Sequence, residues 1–427
     1  MQKKKEIIQK KINNLVKEYF SLPKEEIVSN KLKIPLNIPT FGADEVNEAI
    51  DSLLSTYVTM NEKVYKFEEM FASYLGVKYA VMVNSGSSAN LIALSVLSNP
   101  ITKNHIKPGD EVIIPAVTWS TTAFPIINIG AVPVLVDINL NNFNINADLI
   151  EKAITKKTKA IMPVHLLGNP ANMPKILKIA KKHNLFVIED SCESHGAEIS
   201  GKKVGTFGDM GTFSFFFSHH ISTMEGGMVV TNNEKYAELA KTLRAHGWIR
   251  ELKDRGKIAK KYPKFDKSYL FVNMGYNLRP TALQGGFGIH QIGKLENIIK
   301  IRRKNADFWI NKLSKYNKYL ILPEKKEKTG ERRVWFGFPL IIKETSGFST
   351  KEMTDFLRQK GIENRPIMAG NLDEQPGMKL FKYKVSGNLK NSEFVMDSAF
   401  FFANHQGIGD KERRYVVDCI DKFFKSK

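Results

Sequence analysis

Short apolar runs alternate with segments of helical spacing over much of the chain. The runs that we expect to form strands cover residues 79–83, 111–114, 132–138, 160–164, 185–188, 212–217 and 228–231. Helical patterns, such as those of residues 89–97 and 173–182, fall between several of these runs. Alternation of this kind predicts an α/β protein with a mostly parallel central sheet and helices on both of its faces.

The two ends of the chain have different patterns. Apolar residues at helical spacing over 4–20 predict an amphipathic helix, and a long helical stretch with a polar face covers 284–313. The apolar run 335–343 and a helical pattern over 351–360 indicate a smaller α+β unit after it. We therefore predict an N-terminal arm over 1–44, a large domain over 45–296 and a small C-terminal domain over 297–427.

The composition is that of an ordinary globular protein. Of the 427 residues, 42% are hydrophobic, which is enough for a large core. The sequence has no run of about 18 uncharged apolar residues and no signal-peptide pattern, so we expect a cytoplasmic protein without a membrane partner. Cys192 and Cys419 are too few for a disulfide framework, a four-thiolate zinc site or an iron–sulfur cluster. We therefore expect no metal.

The formal net charge of +20 raises the question of a nucleic-acid partner. Basic residues concentrate in residues 1–33 and 249–268. Neither stretch has helix-turn-helix or zinc-finger spacing. We predict a solvated, lysine-rich surface and no nucleic-acid partner; a basic funnel for a diphosphate-linked sugar is the alternative.

Residues 83–90 (VNSGSSAN) follow an expected strand and open an expected helix. Gly86 allows close backbone approach, Ser87 and its neighbours offer hydroxyl groups, and a helix N-terminus favours a dianion. The segment therefore indicates a phosphate-binding loop. A serine that only caps the helix explains the same residues, and the sequence leaves both interpretations open.

The apolar run 185–190 (LFVIED) ends in two carboxylates. A carboxylate at the end of a buried strand costs free energy unless it is paired. Asp190 could hold a proton on the ring nitrogen of a pyridine cofactor, which makes that ring an electron sink. An aspartate in a simple ion pair is the alternative.

The most specific pattern lies in residues 211–227 (GTFSFFFSHHISTMEGG). It resembles the segment of the DegT/DnrJ/EryC1/StrS family of sugar aminotransferases and dehydratases in which a serine precedes a catalytic lysine by five residues and Glu-Gly-Gly follows. This chain has Ser214 and Glu225 at the matching positions and His219 where the lysine is expected. The resemblance covers about residues 35–424, through PAVTWSTT, LRAHGWIR, GYNLRP and NRPIMAGN. It implies the aspartate-aminotransferase fold of enzymes that use pyridoxal phosphate (PLP), known as fold type I.

Histidine in place of lysine changes the chemistry that the resemblance implies. Imidazole can transfer protons, since its unperturbed pKa lies near 6.5, but it cannot form the imine by which a lysine holds pyridoxal. No other lysine lies between Lys203 and Glu225. The resemblance therefore implies a 3-dehydratase that uses pyridoxamine phosphate (PMP) on a nucleotide-linked 4-keto-6-deoxysugar, with L-glutamate restoring the amine.

Two branches of such dehydratases differ in their need for iron. One carries an iron–sulfur cluster, which two cysteines cannot hold; the other acts on GDP-4-keto-6-deoxymannose and is the one that we expect here. The N-terminal arm is similar to the cluster-bearing branch. A sugar aminotransferase and a non-enzymatic regulator of the same fold that binds nucleic acid are the alternatives.

The family's roles, transferred position by position, imply a cofactor site in the large domain, with His219 as the catalytic base and acid. Gly86, Ser87 and Ser214 would contact the cofactor phosphate. Trp119 would stack on the pyridine ring, and Asp190 would pair with the ring nitrogen.

Other matched positions imply contacts to the ring edge, a second subunit and the substrates. Glu193 would lie near the 3-hydroxyl of the ring, and Asn277 would reach the phosphate in the other subunit of a homodimer. Arg279 and His246 would bind glutamate. The nucleotide sugar would contact Arg250, Thr56, Tyr57, Val58 and Thr59. An ion-paired Arg279 and a helix-capping His246 are the structural alternatives, and we expect His220, Cys192 and His405 to be structural.

Overall fold

The computed structural model describes residues 2–22, 33–325, 327 and 330–427. The helices are α1 Gln2–Ser21, α2 Ala43–Leu54, α3 Glu62–Leu75, α4 Gly86–Ser98, α5 Ser120–Asn128, α6 Ala147–Ala153, α7 Met173–His183, α8 Glu234–Arg244, α9 Arg255–Lys260, α10 Ala282–Gln291, α11 Leu295–Leu313, α12 Thr350–Gln359, α13 Pro376–Lys379, α14 Lys390–Ser398 and α15 Asp410–Lys425. The strands are β1 Tyr79–Val83, β2 Glu111–Pro115, β3 Val132–Val136, β4 Thr158–Ile161, β5 Phe186–Asp190, β6 Glu198–Ile199, β7 Lys202–Lys203, β8 Met210–Ser214, β9 Gly227–Thr231, β10 Leu320–Ile321, β11 Phe338–Ile342, β12 Asn364–Pro366, β13 Lys384–Ser386 and β14 Ala399–Phe402.

The centre of the protein is an eight-stranded sheet with the order β1-β9-β8-β5-β4-β2-β3-β13. Strands β8, β5, β4, β2, β3 and β13 pair in parallel, whereas β9 runs antiparallel to both β1 and β8. Successive side chains point to opposite faces: Val112 and Ile114 pack into one buried cluster, and Ile113 packs into the other. The predicted mostly parallel sheet with two covered faces is therefore confirmed.

A smaller antiparallel sheet, with the order β10-β11-β14-β12, forms the C-terminal part. Its core contains Trp309 of α11, whose ring lies 5.2 Å from Phe338 and 4.9 Å from Phe402, centroid to centroid. Offset and edge-on aromatic pairs of this kind stabilise a core beyond their buried area. The predicted α+β character of this part is also confirmed.

The expected long helix over 284–313 is divided in two, which corrects the sequence prediction. Helix α10 ends at Gln291, a 3₁₀ turn covers Ile292–Lys294, and α11 begins at Leu295. The turn contains Gly293, and glycine has a weak helix propensity. Strand β8 also ends earlier than expected, at Ser214. The chain leaves the sheet there, and its next residues, including Phe216 and His219, line a cleft.

Contacts cross both predicted domain boundaries. Ile34, from the predicted N-terminal arm, bridges Ile362 and is buried in the C-terminal core. Strand β13, from the predicted C-terminal domain, extends the large sheet by pairing with β3. Residues 23–32 of the predicted arm lie outside the described residues. The expected N-terminal helix is present as α1, and none of its residues is buried.

No helix in the described ranges combines the length and the apolar character that crossing a membrane requires.

Candidate active site

A cleft of about 500 Å³ lies at the carboxyl ends of the parallel strands. In α/β sheets this edge is the usual place for a ligand. Its wall includes seven of the predicted site residues: Gly86, Ser87, Trp119, Asp190, Glu193, Ser214 and His219. The structure therefore brings together every residue that was predicted to touch the cofactor within one subunit.

The N-terminus of α4 is open toward this cleft. Ser85 caps the helix, accepting a hydrogen bond from the Ser88 amide at 3.1 Å, so the capping interpretation applies to Ser85. Ser87 Oγ points to Thr121 Oγ1 at 3.1 Å. A Cβ atom on Gly86 would lie 2.4 Å from the Cβ of Ser214, so only glycine lets the helix end approach Ser214. The arrangement suits a phosphate, because helix N-termini bind anions.

Asp190 is held at the bottom of the cleft by neutral donors. Its Oδ2 accepts hydrogen bonds from Asn90 Nδ2 and from Thr122 Oγ1, both at 2.9 Å. Its Oδ1 accepts the Cys192 amide at 3.2 Å. The ion-pair alternative is therefore not what the structure has, since its partners are uncharged. A fixed carboxylate that has only neutral donors among the described residues suits a protonated ring nitrogen.

Trp119 provides a flat apolar surface on the side of the cleft. It precedes the first residue of α5, and 57% of its surface is exposed. A large aromatic side chain so exposed is suited to stacking on a planar ligand. With the α4 N-terminus and Asp190, the wall offers a place for each part of a phosphorylated pyridine, so these residues fit the expected cofactor.

His219 faces the cleft from the loop that follows β8. Its ring lies 5.3 Å from that of Phe336 and 6.2 Å from that of Phe216, centroid to centroid. Burial lowers the pKa of His219 to about 3, and the charge of Arg302 acts in the same direction. Within the described residues, Nδ1 has no hydrogen-bond partner. The imidazole is therefore neutral and available as a base.

Glu193 has the opposite shift. Burial raises its pKa to about 8, although its Oε2 accepts the Leu167 amide at 2.7 Å. The carboxyl is therefore mostly protonated near pH 7. In that form it can donate a hydrogen bond to a ligand oxygen, as a glutamine amide would.

We expect Glu193→Gln to make stability less dependent on pH. The raised pKa of Glu193 means that the folded state holds a proton that the unfolded chain has lost, so its contribution is complete below pH 4.5 and disappears as the pH rises through 8. Each pH unit in that window corresponds to about 1.4 kcal/mol at most. Urea unfolding at pH 5, 7 and 9 should show wild type losing stability relative to the variant. If the free energy of unfolding varied with pH in the same way in both proteins, the raised pKa of Glu193 would be contradicted.

The remaining predicted site residues lie outside this cleft. Arg279 Nε donates to Asn277 Oδ1 at 3.1 Å, and Arg279 Nη2 lies 3.4 Å from His246 Nε2. Val58 accepts the Ala282 amide at 3.0 Å, which places the exposed loop of Thr56, Tyr57, Val58 and Thr59 beside Arg279. Arg250 stacks on the ring of Trp248 at 5.6 Å. These residues form one group at the surface, which we call the outer cluster: residues 56–59, 246, 248, 250, 277 and 279.

The surface around the outer cluster is strongly apolar. Met274 is 89% exposed and Tyr57 is 60% exposed. Other exposed apolar residues there are Val58, Phe265, Tyr269, Phe271 and Val272. Contiguous apolar surface of this kind is typical of an interface with another chain.

Several residues of the cleft were not predicted from the sequence. Asn90 and Thr122 hold Asp190, and a polar residue one helical turn after Gly86 was the available signal for Asn90. Phe336 and Arg365 belong to the C-terminal part, more than a hundred residues after His219 in the chain, and they also line the cleft. Nothing in their local sequence indicates that position, which depends on how the two sheets pack.

The residues expected to be structural have the following places. His220 Nε2 lies 3.1 Å from the carbonyl oxygen of Val334, and His405 Nε2 lies 3.0 Å from that of Pro35. Cys192 is part of the cleft wall, and burial raises the pKa of its thiol. Across the described ranges, no group of three or more His, Cys, Asp or Glu residues is arranged to hold a metal ion.

Comparison with known proteins identifies close relatives over most of the chain. A family model described as the DegT/DnrJ/EryC1/StrS aminotransferase family matches residues 39–421. The chain is 43% identical over 378 residues to GDP-4-keto-6-deoxy-D-mannose 3-dehydratase of Yersinia pseudotuberculosis, covering 88% of this chain and 95% of that protein. It is 35% identical over 432 residues to lipopolysaccharide biosynthesis protein RfbH of Salmonella typhimurium, covering 98% of both.

Solved structures give the same result for the fold. A crystal structure of GDP-4-keto-6-deoxymannose-3-dehydratase with a trapped PLP-glutamate geminal diamine has 41% sequence identity and a TM-score of 0.85, covering 91% of this chain and 100% of that chain. The predicted aspartate-aminotransferase fold of PLP enzymes is therefore confirmed.

Proposed function

The chain belongs to the DegT/DnrJ/EryC1/StrS aminotransferase family, and we propose that it is a 3-dehydratase of GDP-4-keto-6-deoxymannose that uses PMP and is restored by L-glutamate. The observation that carries this proposal is His219 in the cleft wall, at the position of the family's lysine. No lysine is among the described residues that line the cleft. A sugar aminotransferase would need one to hold its cofactor, so the residues favour dehydration.

The chain's own residues supply binding and proton transfer. When bound, PMP supplies an amine for the C4 ketone of the sugar and a ring that accepts electrons. Asp190 would hold the proton on the ring nitrogen, Trp119 would stack on the ring, and the N-terminus of α4 would hold the phosphate. Glu193, mostly protonated near pH 7, would donate a hydrogen bond to the ring oxygen.

His219 carries the proton through the dehydration. As a neutral imidazole it would take a proton from the cofactor carbon C4′, and as an imidazolium it would donate a proton to the departing C3 hydroxyl, which would leave as water. Its low pKa makes the imidazolium a ready proton donor, so one residue could serve as both base and acid. The product is a 4-keto-3,6-dideoxysugar nucleotide.

Product analysis tests the proposal directly. Purified protein, PLP and glutamate should convert GDP-4-keto-6-deoxymannose to a product lighter by one oxygen atom, with an equal amount of 2-oxoglutarate. An amino sugar as the product would establish the aminotransferase instead. Turnover only of the same sugar linked to a different nucleotide, such as CDP, would reject the GDP specificity. No turnover of any sugar nucleotide, together with binding to DNA, would favour the regulator.

We further propose a homodimer in which the outer cluster completes the partner's cleft. In a single chain Arg279, His246, Arg250 and residues 56–59 contribute nothing to the cleft wall, yet they include the cations suited to carboxylate and diphosphate groups. The exposed apolar surface beside them supports burial against a second copy. Asn277 would then contact the phosphate bound in the other subunit.

Met274→Glu should disrupt this homodimer and reduce turnover. Met274 is 89% exposed in the single chain, and a carboxylate in an apolar interface loses hydration without gaining a cation. Light scattering should show monomers, and activity should fall because each cleft lacks its partner's residues. Met274→Leu, which keeps the surface apolar, should remain dimeric. A fully active monomer would contradict shared sites.

The basic surfaces do not change this assignment. Helix α9 lies within residues 249–268 and has no buried residue, and its Lys257 pairs with Asp254 at 3.1 Å. A solvated, lysine-rich surface of this kind does not by itself indicate a nucleic-acid site. We propose a cytoplasmic enzyme of polysaccharide biosynthesis, in keeping with the name of the Salmonella relative.

A further inference from the structure

Helix α11 places an arginine inside the protein, and none of the described residues gives it a carboxylate partner. Arg302 is 2% exposed, and its Nη1 donates to the carbonyl oxygens of Trp335 at 3.2 Å and Phe336 at 2.8 Å. Burial lowers its pKa to about 9, so it stays charged at neutral pH. The other buried arginines of the described chain have carboxylates: Arg244 pairs with Glu68 at 2.6 Å, Arg333 with Glu324 at 3.7 Å, and Arg413 with Asp410. An unpaired buried charge is costly, so Arg302 calls for an explanation.

The positive charge of Arg302 lies among four histidines. It contributes to lowering the pKa of His195, His219, His220 and His405, after the larger effect of burial in each case. The ring of His195 lies 6.2 Å from that of His219 and 5.6 Å from that of His220, centroid to centroid. His195, His219 and His220 therefore pack together as neutral imidazoles, and the charge of Arg302 acts on each of them.

Arg302 is also joined to His219 through the strip 334–336. The carbonyl oxygen of Phe336 accepts from Arg302, while the ring of Phe336 packs edge-on against His219 at 5.3 Å. Trp335 has a φ of 54°, in the left-handed region that costs a non-glycine residue about 1–3 kcal/mol. Arg302 donates hydrogen bonds to the carbonyl oxygens of Trp335 and Phe336, which follow this strained angle in the chain. It therefore helps to hold residues 334–336 and the Phe336 ring in place.

We propose that Arg302 is a positioning residue for His219, holding Phe336 against the imidazole and placing a fixed positive charge behind it, so that His219 begins each turnover as a neutral base. This inference rests on the proposed role of His219. Among the described residues, the other titratable or charged groups near that imidazole are Asp190, Cys192, Glu193, Glu225 and Arg365 in the cleft wall, and His195 and His220 beside it. The charge of Arg302 acts with burial to lower the His219 pKa.

The test compares Arg302→Met with Arg302→Lys, which keeps the charge. The pKa of His219 is measured in the purified protein from the pH dependence of deuterium exchange at its imidazole C2, residue by residue with mass spectrometry. Wild type and Arg302→Lys should titrate well below 6.5, and Arg302→Met should shift toward 6.5. In Arg302→Met, kcat for dehydration should then begin to fall at a higher pH than in wild type, and by at most about tenfold between pH 8 and pH 5.5, because burial still lowers the His219 pKa and a tenth of an imidazole with a pKa of 6.5 is neutral at pH 5.5. KM should stay unchanged.

Arg413→Met is the matched control, since it removes a buried arginine from the neighbouring core without changing the charge behind His219. Its His219 pKa should equal that of wild type. An unshifted pKa in Arg302→Met overturns the inference, and so does an equal shift in Arg302→Lys, which would assign the effect to packing. If Arg302→Met does not fold, a wild-type His219 pKa at or above 6.5 overturns the inference, and a low value retained in Arg302→Lys supports it. If wild-type His219 has a pKa well below 6.5 but the wild-type protein does not dehydrate the sugar, only the proposed function is rejected.

Discussion

Replacing His219 by asparagine should lower the rate of dehydration by a factor of about 10² to 10⁴, the usual contribution of a general acid–base residue. Asparagine is polar and fits the space beside Phe336, but it cannot exchange a proton. Cofactor binding should be retained, because the phosphate, ring and ring-nitrogen contacts come from other residues. The rate is measured in a single turnover with PMP already bound, so that the glutamate step does not contribute.

His183→Asn is a suitable control, since His183 lies at the end of α7, away from the cleft, and pairs there with Glu151. It should leave the rate unchanged. His219→Lys should also lose dehydration, but it restores the amine that relatives use to bind pyridoxal covalently. Borohydride reduction should then attach the cofactor to residue 219. Dehydration by His219→Asn at the wild-type rate would refute the central role of this histidine.

The large sheet and the inner wall of the cleft could be predicted because their signals are local. Apolar runs of strand length gave the positions of the parallel strands, and the glycine–serine segment before α4 and the carboxylate at the end of β5 are each readable within a few residues. The parallel strands bring these ends to one edge of the sheet. His219 stood out for the same reason, since its segment has a fixed spacing to Ser214 and Glu225.

The rest of the site depends on contacts that no local pattern contains. Phe336 and Arg365 enter the wall through the packing of the C-terminal sheet. Arg302 lies on a helix whose apolar spacing predicts a buried face, but a buried arginine on that face looks the same in sequence as an exposed one. The outer cluster is separated from the cleft in one chain, so residues such as Asn277 can act there only through a second copy.

The largest electrostatic effect at the cofactor should come from Asp190→Asn. The variant keeps the size of the side chain and an oxygen that can accept from Asn90 or Thr122, but it removes the charge that favours a proton on the ring nitrogen. Removing one preorganised electrostatic group from an active site typically costs about 10² to 10³ in rate. Both the dehydration and the glutamate half-reaction should slow, because both need the ring as an electron sink.

Asp209→Asn separates this effect from a general loss of stability. Asp209 accepts the amide of Val187 at 2.8 Å, so it contacts the same strand as Asp190 but three residues earlier and away from the cleft. Burial raises the pKa of Asp209, and an asparagine can accept the same hydrogen bond. The control should therefore keep the wild-type rates of both half-reactions. In Asp190→Asn, the absorbance of bound PLP should in addition titrate at lower pH, since the ring nitrogen loses its counter-charge. Wild-type rates with an unchanged spectrum would show that Asp190 does not contact the ring nitrogen, and the orientation of the cofactor proposed for this cleft would have to be reversed.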